Sequence, residues 1–172
     1  MKLSQLSNSE YPPYYEKYIS NLSSDMDLLE ELEASHHYFI QFVQNIPMEK
    51  HNYRYDSGKW TIKEIIQHLI DCERIFAYRA LRFSRNDKTE LPGFDQDSYV
   101  ANSDANQRHL KDLLMEFSLV RHTTLALFKS FSDEILLRSG TATGFNVSVR
   151  ALGFIIVAHQ EHHKKIFTER YL

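Results

Sequence analysis

Apolar residues recur at helical spacing in four stretches of the chain. In the first, from about Tyr14 to Ile46, Leu22, Met26, Leu29, Leu32, His36, Ile40 and Val43 share one stripe, with Phe39 and Phe42 beside it. Pro12-Pro13 can only precede or open this helix, and Pro47 ends it. The second, about Thr61 to Arg85, begins with Thr61 and Glu64 at the spacing of a capping box and carries Ile62, Ile65, Leu69, Cys72, Phe76 and Phe83 on its apolar face. The third runs from near Ser103 to about Phe131. Its Leu110, Leu113, Phe117, Val120, Thr124, Leu127 and Phe131 alternate steps of three and four, the seam of a helical bundle. The fourth opens near Ser148 and continues almost to Leu172, with Val149, Leu152, Ile156, His159, His163 and Ile166 as its seam. The expected fold is therefore all-α, a four-helix bundle, and two of its seam positions are histidine.

Composition narrows the class. Five glycines and four prolines in 172 residues are too few for a sandwich or barrel, which needs a turn every ~8–12 residues. No repeat or linker divides the chain, so one domain over residues 1–172 is expected. The single cysteine, Cys72, excludes a disulfide framework and a Cys-rich zinc site, and at a helix interior it reads as core. A net charge of −3 offers no basic surplus for nucleic acid. With no apolar h-region and no run of 18 apolar residues, the expectation is a cytoplasmic protein with no membrane partner.

Nine histidines are present. Residues four apart on a helix point the same way, so the imidazoles of His159 and His163 can converge on one cation. His162 is the rival for the second position, but the seam register favours His163. Two imidazoles buried without partners would each cost about 1–3 kcal/mol, which coordination removes. His68 is the third candidate on grounds of depth. It lies about 10 Å past the Thr61 cap, and the His159–His163 midpoint lies about 13 Å before the end of the fourth helix. The levels match only if helices two and four are antiparallel, which makes the bundle up-down-down-up with a long crossover between helices two and three. Segment 86–102 spans up to about 56 Å extended, against roughly 37 Å for a 25-residue helix, so it suffices. His36 could approach from helix one, although His36-His37 reads more simply as a rim pair. The third connection, 132–147, has room for a short strand or a 3₁₀ turn. His159-Gln160-Glu161-His162-His163 is not a zincin motif, because Gln160 stands where the general base belongs. A di-iron signature is also absent.

The segment Lys59-Trp60-Thr61-Ile62-Lys63-Glu64 through His68-Leu69 to Glu73 resembles the W-[S/T]-x-x-E-x-x-x-H-L-x-x-x-E stretch of the DinB/YfiT-like superfamily. The closing helix with His159 and His163 is similar to that family's final H-x-x-x-H helix. The resemblance implies an up-down-down-up bundle, usually homodimeric, with one divalent metal on His68, His159 and His163, and it implies no DNA binding. Family members include thiol transferases that use bacillithiol, mycothiol-dependent isomerases and metal-dependent hydrolases. Lys164-Lys165 departs from the small residue and Gln that often follow the last ligand.

Three neutral imidazoles leave a divalent ion, zinc or nickel before iron or manganese, with its full charge and an open coordination position. The expected function is a metal-dependent transferase or hydrolase acting on a small molecule. The alternative is a non-catalytic dimeric bundle with a structural or sensory metal, marked by a sealed centre. Tyr53, Tyr55 and Trp60 are candidates to wall a pocket, and Glu64 and Glu73 are the nearest acidic residues.

Overall fold

The computed structural model describes residues 1–172. Four long helices, α2 (Leu28–Gln44), α3 (Ile62–Ser84), α5 (Leu110–Lys129) and α7 (Val149–Ile166), form the bundle. Shorter pieces lie between them: α1 (Glu16–Ile19), α4 (Gln96–Ala101), α6 (Asp133–Leu136), and a hairpin of β1 (Ser139–Ala142) and β2 (Phe145–Ser148). A π turn, Phe167–Tyr171, closes the chain.

Side-chain pairs fix the helix directions. Helices α2 and α5 are antiparallel, since Leu32 and Ser35 meet Arg121 while Phe39 meets Phe117. Helices α3 and α5 run parallel: Thr61 bonds Asn106, Gln67 bonds Arg108 and Arg74 bonds Glu116. Helices α3 and α7 are antiparallel, because the Tyr171 hydroxyl donates to the Trp60 carbonyl at one end and Arg138, just before the hairpin, donates to the Ser84 carbonyl at the other. The order is up-down-down-up, as the depth of the histidines requires.

The first helix is shorter than its periodicity suggests. It starts at Leu28, not near Tyr14, because Asp27 caps it: Oδ1 accepts from Leu29 N at 3.1 Å and Oδ2 accepts from the Met1 amine at 2.5 Å. Between the two stretches, the Asn21 amide donates to Lys17 O and the Ser23 hydroxyl donates to Asp25 Oδ1. Residues before Asp27 instead fold back onto the bundle and bury Leu3, Tyr11, Tyr18 and Ile19. The third helix likewise begins at Leu110 instead of near Ser103, since Asp104 adopts a left-handed conformation (φ 50°) that no helix continues through. The crossover therefore extends over 85–109 and contains α4. The third connection does hold strands, joined by Thr143 and Gly144 at φ 54° and 79°, the pair of positive values that a tight hairpin turn needs. Gly140 of β1 lies so close to the Phe83 ring that a Cβ would sit 2.1 Å from it.

The core has two apolar halves. One joins Leu28 and Leu32 to Phe76, Phe83, Phe128 and residues 149–158 of α7. The other joins Phe39, Val43, Ile62, Ile66, Phe117 and Phe167. Between them lies a layer of buried polar residues from all four helices: Ser35 and His36, His68 and Glu73, Arg121, and Gln160 and His163. A buried arginine anchors this layer. Arg121, fully buried, clamps Glu73 with Nε–Oε1 at 2.8 Å and Nη2–Oε2 at 2.9 Å, and also donates to Leu32 O, Ser35 Oγ and Gln160 Oε1.

Candidate metal centre

The sequence-predicted trio meets in that layer. His68 sits seven residues into the helix that the Thr61–Glu64 capping box starts, and His159 and His163 lie one turn apart on antiparallel α7. His68 Nε2 is 3.0 Å from His159 Nε2, and His163 Nε2 is 3.1 Å from the same atom. The ring centroids of His68 and His163 are 5.2 Å apart. His159 Nε2 thus lies within hydrogen-bonding distance of the same nitrogen of both its neighbours. A tetrahedral ion with metal–nitrogen bonds of about 2.0–2.1 Å sets its ligand nitrogens about 3.3 Å apart, within a few tenths of an ångström of the His68–His159 and His159–His163 spacings.

Protonation favours ligation as well. Burial pushes His68 down to about 4. Burial, then neighbouring imidazoles, holds His159 and His163 well below the usual histidine range. All three are neutral at neutral pH, the form in which imidazole is a metal donor. His163 Nδ1 is buried with no hydrogen-bond partner. Trp60 covers His68, with ring centroids 4.7 Å apart, and Phe76 and Tyr18 lie against His159.

Cys72, read from sequence as core, is buried, but its Sγ lies 3.6 Å from His68 Nδ1 and 3.7 Å from Nε2. Its sulfur and nitrogens of His68 and His159 fall within 4.8 Å of one another, a donor set that shares two residues with the predicted trio and has Cys72 in place of His163. Helical spacing carried that signal, since Cys72 follows His68 by four. Burial raises the thiol to about 12, so it stays protonated unless a cation displaces the proton.

The other candidates lie elsewhere. His162 turns away and packs on Tyr18 at 4.4 Å between centroids. His36 is buried, not a rim residue: it bonds Ser118 Oγ at 3.1 Å and stacks on Phe117. Neither acidic neighbour faces the cluster as a free base. Glu64 accepts from Thr61 N, Arg54 and Asn106, and Glu73 is held by Arg121. Gln160 accepts from Arg121 and donates to Ser35 O, so the α7 turn bearing His159 is pinned to α2 and α5. The Arg121 network had no sequence signal beyond a charged residue beside the third helix's stripe.

Two cavities large enough for a small molecule or part of one reach the cluster. One of about 350 Å³ has His159 and Cys72 among its walls, with Tyr15, Tyr18, Phe76 and Arg79. The other, about 220 Å³, touches His163 and is walled by Tyr55, Trp60 and Tyr171. Of the three aromatics expected to wall a pocket, Tyr55 and Trp60 do so, while Tyr53 packs on Tyr171. Lys164 and Lys165 pair with Glu161 and Glu169 along the helix surface.

An up-down-down-up bundle in which two antiparallel helices bring His68, His159 and His163 side by side in a buried layer defines the class. Residues 31–167 match the model of the DinB superfamily, and the chain belongs to that family. Two solved structures share the fold. YfiT from Bacillus subtilis, described as a probable metal-dependent hydrolase with an unusual four-helix bundle topology, is 19% identical with a TM-score of 0.71 over 95% of this chain and 89% of its own. A DinB-like protein from the same organism, YjoA, is 17% identical with a TM-score of 0.59 over 82% of this chain and 86% of its own. No curated protein matches the chain by sequence. No helix is long and apolar enough to cross a membrane.

Proposed function

We propose that this chain is a divalent-metal-dependent transferase or hydrolase of a small molecule, with the ion held by His68, His159 and His163. The single observation that carries the reading is the close approach of His159 Nε2 to the same nitrogen of His68 and of His163, at 3.0 and 3.1 Å. Structural likeness to YfiT, itself described as a probable metal-dependent hydrolase, supports the hydrolytic arm. The thiol-transfer arm rests on the family resemblance of the sequence, and a thiol such as bacillithiol is the co-substrate it brings. Zinc or nickel suits an all-imidazole set first, iron or manganese after them.

A divalent ion supplies Lewis-acid charge that polarises a carbonyl and eases loss of a proton from a water or thiol. The chain's own residues do the rest. Neutral imidazoles leave the ion's charge uncancelled. Trp60 and Phe76 keep bulk water from the ring faces of His68 and His159. Glu73 and Arg121, through Gln160, hold the α7 turn in register instead of moving protons. The 350 Å³ cavity beside His159 supports catalysis over the sealed structural or sensory centre of a non-catalytic bundle. Exposed Tyr38, Met115 and Leu119 on α2 and α5 favour a homodimer. The reading places the protein in the cytoplasm, as one domain over residues 1–172.

The test is metal analysis of protein purified without a His tag or nickel resin. About one divalent ion per chain is expected, lost in His68→Ala, His159→Ala and His163→Ala together with turnover in a thiol-conjugation and hydrolase screen. Unchanged stoichiometry in these variants overturns the reading. Cobalt substitution decides the donor set: a sulfur-to-cobalt absorption band that vanishes in Cys72→Ser would replace His163 by Cys72. Light scattering on the same samples tests the dimer, and a monomer at micromolar concentration refutes it.

A further inference from the structure

Helix α3 turns Cys72, Phe76 and Arg79, spaced i, i+4 and i+7, toward the cavity that also reaches His159. Arg79 is the one formally charged residue in that wall. It is 93% buried, its relative exposure being 7%, yet its guanidinium makes a single hydrogen bond, from Nη2 to the Pro92 carbonyl at 2.9 Å. No carboxylate faces it. Burial lowers its pKa from the ordinary arginine value, and the groups that oppose the shift are Tyr15 and Cys72. The other buried arginine, Arg121, shows the contrast: its nitrogens are matched by Glu73, Gln160, Ser35 and a backbone carbonyl. A guanidinium carries five donors in a planar fork shaped for a carboxylate or phosphate, and one carbonyl uses a single donor. The remaining nitrogens are not sealed in protein, since the chain's only fully enclosed and unpartnered side-chain polar atom is His163 Nδ1.

We propose that this cavity takes substrates bearing an anionic group, a carboxylate or a phosphate, and that Arg79 selects them by pairing with it. As a statement about substrates it rests on the reading of the histidine cluster as the reactive centre. Arg79 lies seven residues from Cys72, about 10 Å along α3. A ligand that spans from the guanidinium to His159 therefore separates its anion from its reacting atom by several bonds. Tyr15, Tyr18, Phe76 and Phe94 give the intervening wall an aromatic, apolar character. An arylalkyl or alkyl chain with a terminal anion fits that profile, and the volume of about 350 Å³ suits a small molecule.

The test reads Arg79 itself, on EDTA-treated protein, so that no ligand binds through a metal. The ¹⁵N-labelled Nε–Hε resonance of Arg79, assigned by its loss in Arg79→Lys, is followed during titration with acetate, inorganic phosphate, 3-phenylpropionate and 3-phenylpropionamide. A saturable shift is expected with the anions and none with the amide, and 3-phenylpropionate should bind at least tenfold more tightly than acetate. The better inorganic or carboxylate ligand identifies the source of the anion. In Arg79→Gln, 3-phenylpropionate affinity, read from ligand line broadening, should fall at least tenfold, with Arg79→Lys intermediate. The absence of a saturable shift with every anion, an equal response to the amide, or full affinity in Arg79→Gln overturns the proposal. An anion site that persists in His68→Ala protein retaining its metal would leave this inference standing while the metal assignment falls.

Discussion

Replacing Glu73 by Gln tests whether the polar layer across the bundle is held by charge. The substitution keeps the shape and one acceptor but removes the negative charge from a pair in which Arg121 has no exposed surface and Glu73 3%. Breaking a buried pair from one side leaves an uncompensated charge and costs about 3–5 kcal/mol. A chain of this size loses roughly 2–4 °C of Tm per kcal/mol, so a fall of about 6–20 °C is expected. Urea denaturation followed by circular dichroism, backed by calorimetry, measures it. Replacing both partners by apolar residues, as in Glu73→Leu with Arg121→Met, should recover part of the loss. Recovery stays incomplete because Gln160 and Ser35 lose a donor, at about 1–3 kcal/mol for a stranded group. Two outcomes refute the reasoning: a single variant within about 1 kcal/mol of the parent, or a double variant no more stable than the single.

Two further outcomes follow from groups away from the histidine cluster. Burial, with Arg121 nearby, lowers His36 to about 4. As pH falls below about 6.5 the unfolded chain takes up this proton first, so His36 costs stability between about 6.5 and 4, by about 1–2 kcal/mol at pH 5 once partial access of water to the ring is allowed for. Urea midpoints at pH 7.5 and 5 should therefore converge more closely in His36→Gln than in the parent, and equal slopes would contradict the assignment. Its partner Ser118 gives a control: Ser118→Ala removes the hydrogen bond at 3.1 Å, costs about 1 kcal/mol at both pH values, and leaves the slope nearly unchanged.

Much of this protein is written in local spacing. Steps of three and four along the chain define the four long helices. The Thr61–Glu64 capping box starts α3 where expected, and the crossover length with the depths of His68, His159 and His163 selects the up-down-down-up order. These are local or one-dimensional properties, fixed by helix geometry and chain reach. What periodicity does not contain is competition between distant partners. Residues 14–27 carry a helical stripe, yet Asp27 caps a later start and binds the chain's own amine, a contact between residues 26 apart. Arg121 and Arg79 look alike as letters beside apolar stripes. One is neutralised by Glu73 from another helix, and the other faces a cavity with one backbone carbonyl. Cys72 reads as filler until packing sets its sulfur against His68. Burial and charge pairing depend on which surfaces the folded helices bring together, so the chemical roles of these three side chains were decided only by the tertiary structure.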